Sequence, residues 1–316
     1  MLMGSIKPVS GPKLLTKKFN IAVLELIVAA VIWGASFTLV RWSLVDFSAS
    51  ALLFWRFIIA YILGEALHYF FNKELFKLSK SDIRSSMLAG VCLGLTLYLQ
   101  TYGLNFTTAT NSGFITSLYV VLIPILMALF FKHKIQPHHI FLSLIAFTGM
   151  GFLLNLENLN MQLGEILTLG GAFAAALQII FVGKAASSVK SAFRFNTYQT
   201  FWCFITILPF LVIETRIKKT QLWPENPQML SIISLVLLAL FVSLLAFYLQ
   251  VRAQKVLSTS TSSMLCLLEG PFAYLFASYF LNEKLEGAQL FGAFIILLSC
   301  LISISIEQKK TNRTKN

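Results

Sequence analysis

The sequence predicts an all-α membrane protein with ten transmembrane helices in two inverted five-helix repeats and both termini in the cytoplasm. Three observations carry that expectation. The 316 residues are 57% hydrophobic and only 12% charged, which leaves too little polar surface for a water-soluble globule. A bilayer span needs about 20 predominantly apolar residues, and ten such runs follow one another: 21–44, 49–71, 84–104, 109–131, 139–155, 164–183, 193–213, 230–251, 261–281 and 288–306. Finally, Tyr98-Leu99-Gln100 returns as Tyr248-Leu249-Gln250, and at this offset residues 84–155 match residues 234–305 at 12 of 72 positions. The polar runs Thr107-Thr108-Ala109-Thr110-Asn111-Ser112 and Leu257-Ser258-Thr259-Ser260-Thr261-Ser262 face each other in the same register, as expected of a duplicated membrane domain.

The net charge of +12 does not point to nucleic acid, because the basic residues sit in short segments between apolar runs and form no continuous face. With a cytoplasmic N-terminus, nineteen Lys and Arg fall in the inner segments and four (Arg216, Lys218, Lys219 and Lys284) in the outer loops. That asymmetry places both termini inside. Five spans per half is an odd number, so the second half enters the membrane in the opposite sense to the first. Inverted halves of this kind can trade conformations and open a central site to either side in turn. The expected units are a tail over 1–20, a first repeat over 21–155, a second over 164–306 and a tail over 307–316.

Span 1 carries Trp33 and Arg41 and is too long for a cleaved leader. Trp33 either packs as an ordinary aromatic or stacks on a substrate beside a cavity. In span 2, Arg56 either snorkels to the outer surface or lines a pathway. Glu25, Glu65 and His68 lie close to the cytoplasmic ends and are expected to be interfacial and hydrated. Span 3 places Thr96 and Gln100 on one face, while Gly90/Gly94, like Ala30/Gly34 in span 1, allow close helix approach. Span 4 aligns Thr108, Ser112, Thr116 and Tyr119 beside Asn111, and Pro124 is an expected kink. Span 6 contributes Gln178, and span 8 Ser243 and Gln250.

Span 9 places Ser262, Cys266 and Glu269 on one stripe, followed by Gly270-Pro271. A mid-membrane carboxylate costs about 2.5 to 3.5 kcal/mol to insert, so it pairs, protonates or meets a ligand. The Gly-Pro step predicts a kink there. Cys92, Cys203, Cys266 and Cys300 occur singly in apolar runs and read as buried thiols.

Other chemistries lack their residues. Asp46 and Asp82 are the only aspartates, so no acidic metal-pyrophosphate motif exists. Gly183-Lys184 lacks the surrounding phosphate-loop pattern, and His138-His139 has no acid nearby. No cofactor, metal or ATP is expected. Charged rings and a Gly-rich filter are also absent, which disfavours a channel.

Trp33-Gly34-Ala35-Ser36-Phe37, Phe54-Trp55-Arg56-Phe57, the run Asn111 to Tyr119, and Leu268-Glu269-Gly270-Pro271 followed by Asn282-Glu283-Lys284-Leu285 resemble the EamA group of the drug/metabolite transporter superfamily over residues 21–306. The resemblance implies a secondary transporter whose central cavity is lined by spans 3, 4, 8 and 9, with help from spans 1 and 6. Such proteins carry amino acids, nucleosides, cofactors, sugar phosphates or toxic compounds, usually outward in bacteria. His133 departs from the pattern, standing where an acid is common, whereas its repeat mate Glu283 keeps the acid.

The expected protein is therefore a multi-pass transporter of the plasma membrane, most simply a bacterial inner membrane. It moves a small metabolite such as an amino acid by alternating access, as an exporter or exchanger, with protons as a coupling partner. Candidate substrate or coupling residues are Glu269, Gln100, Asn111, Tyr119, Gln178, Gln250, Trp33 and Arg56. A passive channel or a membrane-embedded enzyme is the alternative.

Overall fold

A computed structural model describes residues 12–71, 80–107, 109–132, 136–153, 162–281 and 287–313. These residues are helical apart from turns and links, with no strand among them. The first half comprises α1 (Pro12–Ser43), α2 (Ala49–Phe71), α3 (Lys80–Gly103), α4 (Ala109–Ser117), α5 (Tyr119–Phe131) and α6 (Pro137–Leu153). The second comprises α7 (Leu163–Ala186), α8 (Ala192–Lys218), α9 (Met229–Leu237), a π-helical segment (Leu238–Ala246), α10 (Phe247–Ala253), α11 (Thr259–Cys266), α12 (Glu269–Leu281) and α13 (Gly287–Arg313).

Eight helical rods among the described residues are long and apolar enough to cross a membrane, three of them formed by α4–α5, α9–π–α10 and α11–α12. The two remaining expected spans are α6, which is 17 residues long, and α3, which opens on Lys80-Ser81-Asp82 and carries Thr96, Gln100 and Thr101. Large apolar side chains such as Phe70, Leu129, Phe141, Ile217 and Leu301 face outward. In water that surface would be unstable, but against lipid it is matched.

Helix packing follows the duplication. α3 lies along α7 and α8, and in the mirrored arrangement the α9–π–α10 rod lies along α1 and α2. α1 packs on α12, while α7 packs on α4 and α5. The pairs α2–α8 and α6–α13 join equivalent members of the two halves. Each half is thus completed by the first helix of the other.

Small residues make the closest of these approaches. A Cβ on Gly34 would sit 2.7 Å from the Ala273 nitrogen, and one on Gly90 would sit 2.7 Å from the Gln199 carbonyl. Only a missing side chain permits α1 to touch α12, and α3 to touch α8, so closely.

Both fourth-position rods break at equivalent residues. Leu118 separates α4 from α5, and Leu267-Leu268 separates α11 from α12. Pro271 has no N–H for the Leu267 carbonyl, and Gly270 N donates to it instead, at 3.1 Å. The replacement is one residue tighter than an α-helical bond, which turns the chain. In the first half the helix break and the expected proline kink are separate positions. Pro124 lies inside α5, and the break is carried at Leu118, whose N–H bonds back three residues to Ile115 and whose carbonyl also accepts from Val121.

Ties between the halves hold both ends of the bundle. At the end where α1 begins, Arg252 pairs with Glu25 at 2.5 Å and Arg194 with Glu65 at 2.9 Å. Within the second half, Lys255 Nζ donates at the same end to the Val189 carbonyl at 2.7 Å. At the end where α1 finishes, Asp46 accepts from Gln228 N and Ser231 Oγ. Nearby, buried Glu214 accepts from Ser50 Oγ at 2.6 Å and Tyr98 OH at 3.1 Å. The expectation that Glu25, Glu65 and His68 are hydrated is corrected: both glutamates are ion-paired, and His68 is buried against Phe193. Position near a span's end does not set hydration when a partner helix covers it.

Candidate functional site

A cavity of about 560 Å³ runs from mid-bundle to the end where α1 finishes. Its walls come from both halves: α1, α2, α3, α4, α5 and α6 from the first, and α7, the π segment, α10, α11 and α12 from the second. Trp33, Arg56, Gln100, Tyr119, Gln178, Gln250 and Glu269 all line it. Asn111 begins the third residue of α4, but its side chain lies outside the described residues, as do Thr108, His133 and residues 282–285.

The helix breaks explain two of these positions. Tyr119 is the first residue of α5 and Glu269 the first residue of α12, so symmetry mates occupy matching half-helix starts facing one cavity. An interrupted helix whose N-terminal end meets a cavity favours negative charge there, through its exposed N–H groups and dipole. Glu269 is half-buried and forms no ion pair among the described residues. The Tyr119 side chain is buried, and its hydroxyl lies beside Glu269 without meeting strict hydrogen-bond geometry.

The remaining polar wall is a connected network. Gln178 and Gln250 exchange amide hydrogen bonds at 3.3 Å in both directions, and Gln178 Nε2 also lies 3.4 Å from Gln199 Oε1. Gln199 Nε2 donates to Asn196 Oδ1 at 3.3 Å. Asn196 Nδ2 in turn donates to the carbonyls of Ser243 and Leu244, at 2.9 and 3.0 Å. Those carbonyls belong to the π segment, where the ordinary bond pattern is shifted by one residue, and the Asn196 amide supplies donors that the helix geometry rearranges. Arg56 Nε reaches the same segment through Ser243 Oγ at 2.8 Å.

Arg56 is 2% exposed, so of the two readings open from the sequence the structure excludes snorkelling. Trp33 packs on Phe247 at 5.3 Å, with its indole N–H buried and unpartnered. Gln100 donates to Thr116 Oγ1 at 3.0 Å within its own half. Ser112 faces Thr168 at 3.5 Å and Ser262 is buried without lining the cavity. The breaks after Ser117 and Cys266 redirect the stripes on which these residues were aligned.

Sequence reasoning missed Asn196 and Gln199. A signal was present in the run Arg194-Phe195-Asn196-Thr197-Tyr198-Gln199-Thr200, four of whose residues carry amide or hydroxyl groups besides Tyr198 within an apolar span. Glu214 was also missed, lying just past the expected limit of span 7.

The model of the EamA-like transporter family matches residues 20–155 and again residues 162–305. The chain belongs to that family. It is 34% identical over 281 residues to an uncharacterized transporter of Archaeoglobus fulgidus, covering 89% of this chain and 85% of the relative. It is 25% identical over 258 residues to the uncharacterized transporter YetK of Bacillus subtilis, covering 79% and 76%. A protein of known crystal structure superposes with a TM-score of 0.72 at 14% identity, over 92% of this chain and 98% of that one, a likeness of fold alone. The family's two matched units are the two halves that share the cavity. The chain is a multi-pass membrane protein of a transporter family.

Proposed function

We propose that this chain is a secondary active transporter that moves a small metabolite, an amino acid or a related compound, across the plasma membrane by alternating access as an exporter or exchanger. The observation that carries the reading is the shared cavity: side chains of both halves line it, and its lining reaches the bonded Gln178–Gln250 pair but includes none of the ion-paired residues at the end where α1 begins. A closed end inside a duplicated bundle is what a carrier requires and what an open pore lacks.

In this reading all ten helical rods span the bilayer. α6 and α3 cross it as the repeat mates of α13 and of the α9–π–α10 rod. The nineteen-to-four division of basic residues supports cytoplasmic termini, so the cavity faces outward. Exchange of conformations between the halves then opens the opposite side. Glu269 is the coupling or substrate carboxylate, and protons are the coupling ion. Tyr119 and Cys266 are its titratable neighbours, and Arg41, Arg56 and Tyr274 line the same cavity. The reaction is a relocation with no bond made or broken, so no enzyme role or cofactor is assigned.

Counterflow in proteoliposomes, across a panel of amino acids, nucleosides and cofactors, tests the reading. Exchange of one panel member without steady conductance is the expected result. Steady conductance with no exchange would replace the carrier by a channel.

A further inference from the structure

Two ionisable side chains lining the cavity are not paired with each other. Arg56 and Glu269 both line it, yet the ion pairs formed among the described residues are Arg194 with Glu65 and Arg252 with Glu25. Arg56 uses one of its three nitrogens, Nε, on a neutral hydroxyl, Ser243 Oγ. Its Nη2 is buried with no acceptor. A guanidinium cannot shed its proton to escape this position, and an uncompensated buried charge is costly to keep. Lysine at the same place could neutralise itself; arginine instead presents a planar fork suited to a carboxylate.

The surroundings strengthen the case for an anion at this wall. One turn along from Ser243, Phe247 packs against Trp33, whose indole N–H also has no acceptor. Arg41, exposed and nearer the opening, adds a second cation to the cavity lining, and Glu269 is the sole carboxylate in that lining among the described residues. Charge therefore runs from positive at the opening and the α2 wall to negative at the start of α12.

We propose that Arg56 is a carboxylate-binding subsite and that the cargo is a zwitterion, its carboxylate on Arg56 and its ammonium toward Glu269. The inference rests on the transporter reading above and deepens it. A molecule with both charges completes two half-sites that the fold leaves unjoined. A simple amine or a neutral nucleoside completes one or neither.

The test compares each of the twenty amino acids with its amide, its decarboxylated amine and its deaminated acid. The readouts are thermal stabilisation of the purified protein and inhibition of counterflow. At least one amino acid is expected to bind about tenfold or more tightly than its amide and its amine, the scale of one charge-assisted contact. Arg56→Gln is expected to erase the preference for the acid over the amide, and Arg56→Lys to retain part of it. Equal loss for acid and amide in Arg56→Gln would mark Arg56 as structural and overturn the proposal. The wild-type comparison needs no variant, so it tests the zwitterion even where Arg56→Gln fails to fold, and Arg56→Lys set against Arg41→Gln then assigns the carboxylate to one arginine or the other. If nucleosides or amines exchange and no carboxylate does, the zwitterion is refuted while the carrier stands; if nothing exchanges, the carrier itself falls.

Discussion

α3 and the α9–π–α10 rod are repeat mates that end at equivalent residues, Gly103 and Ala253, and present equivalent glutamines to one cavity. They are built differently. α3 is α-helical throughout, and its Gln100 bonds locally to Thr116 in the next rod of its own half. Its mate contains nine π-helical residues, two of whose carbonyls are held by Asn196, and its Gln250 is paired with Gln178. The same contrast separates Tyr119 from Glu269 at the half-helix starts. Duplication thus supplies a symmetric frame, while the carboxylate and the multiply bonded amides of the cavity wall belong to the second half and its two arginines, Arg41 and Arg56, to the first. In the proposed carrier, two interchangeable scaffolds would serve alternation and the single acid would serve coupling.

Removing the second-half acid tests that contrast most severely. Glu269→Gln is expected to lower counterflow about tenfold to a hundredfold, the range for losing a hydrogen bond to a charged group, and to flatten its dependence on pH. Tyr119→Phe is expected to lower it about threefold to tenfold, as for a neutral contact. Initial rates in proteoliposomes over a pH series check both. Equal losses, or a pH dependence that survives Glu269→Gln, would break the assignment of chemistry to the second half.

The π segment offers the next test. Asn196→Ala leaves the Ser243 and Leu244 carbonyls without their side-chain donor, and the penalty for such buried groups is about 1 to 3 kcal/mol. Thermal unfolding in detergent is expected to show a lower Tm for this variant. An unchanged Tm would mean that the rod holds its π geometry without α8.

The smallest expected difference compares the glutamines' partners. Gln178→Leu orphans the Gln250 amide and leaves Gln199 only its bond to Asn196, and is expected to cost about 1 to 3 kcal/mol. Gln100→Leu leaves only Thr116, whose hydroxyl still donates to the Ser112 carbonyl at 2.8 Å, and is expected to cost about 1 kcal/mol or less. The same unfolding measurement ranks the pair, and a reversed order would show that the first half carries more of the polar core than its bonds suggest.

Much of this was legible before any fold was known. Hydropathy marks helices because a bilayer core leaves the backbone no partner but itself, and the Tyr-Leu-Gln echo reveals duplication because repeats keep register. The in-membrane polar residues announce themselves through their insertion cost, which is why Glu269, Arg56 and the three glutamines were found. Asn196 was not found, because its role depends on carbonyls some fifty residues away in a segment with no π signature. The break at Leu118 was likewise not legible, because no proline or glycine marks that residue.

The sequence by itself determined the membrane-protein class, the two repeats and the polar residues within apolar runs, since all three follow from local transfer energies and register. Tertiary structure alone decided which of those groups meet. It turned Arg56 inward to Ser243, joined Gln178 to Gln250, paired Glu25 and Glu65 with arginines of the other half, and left Arg56 and Glu269 apart across a cavity. Those outcomes depend on distances between helices remote in sequence, and no local property of the chain encodes them.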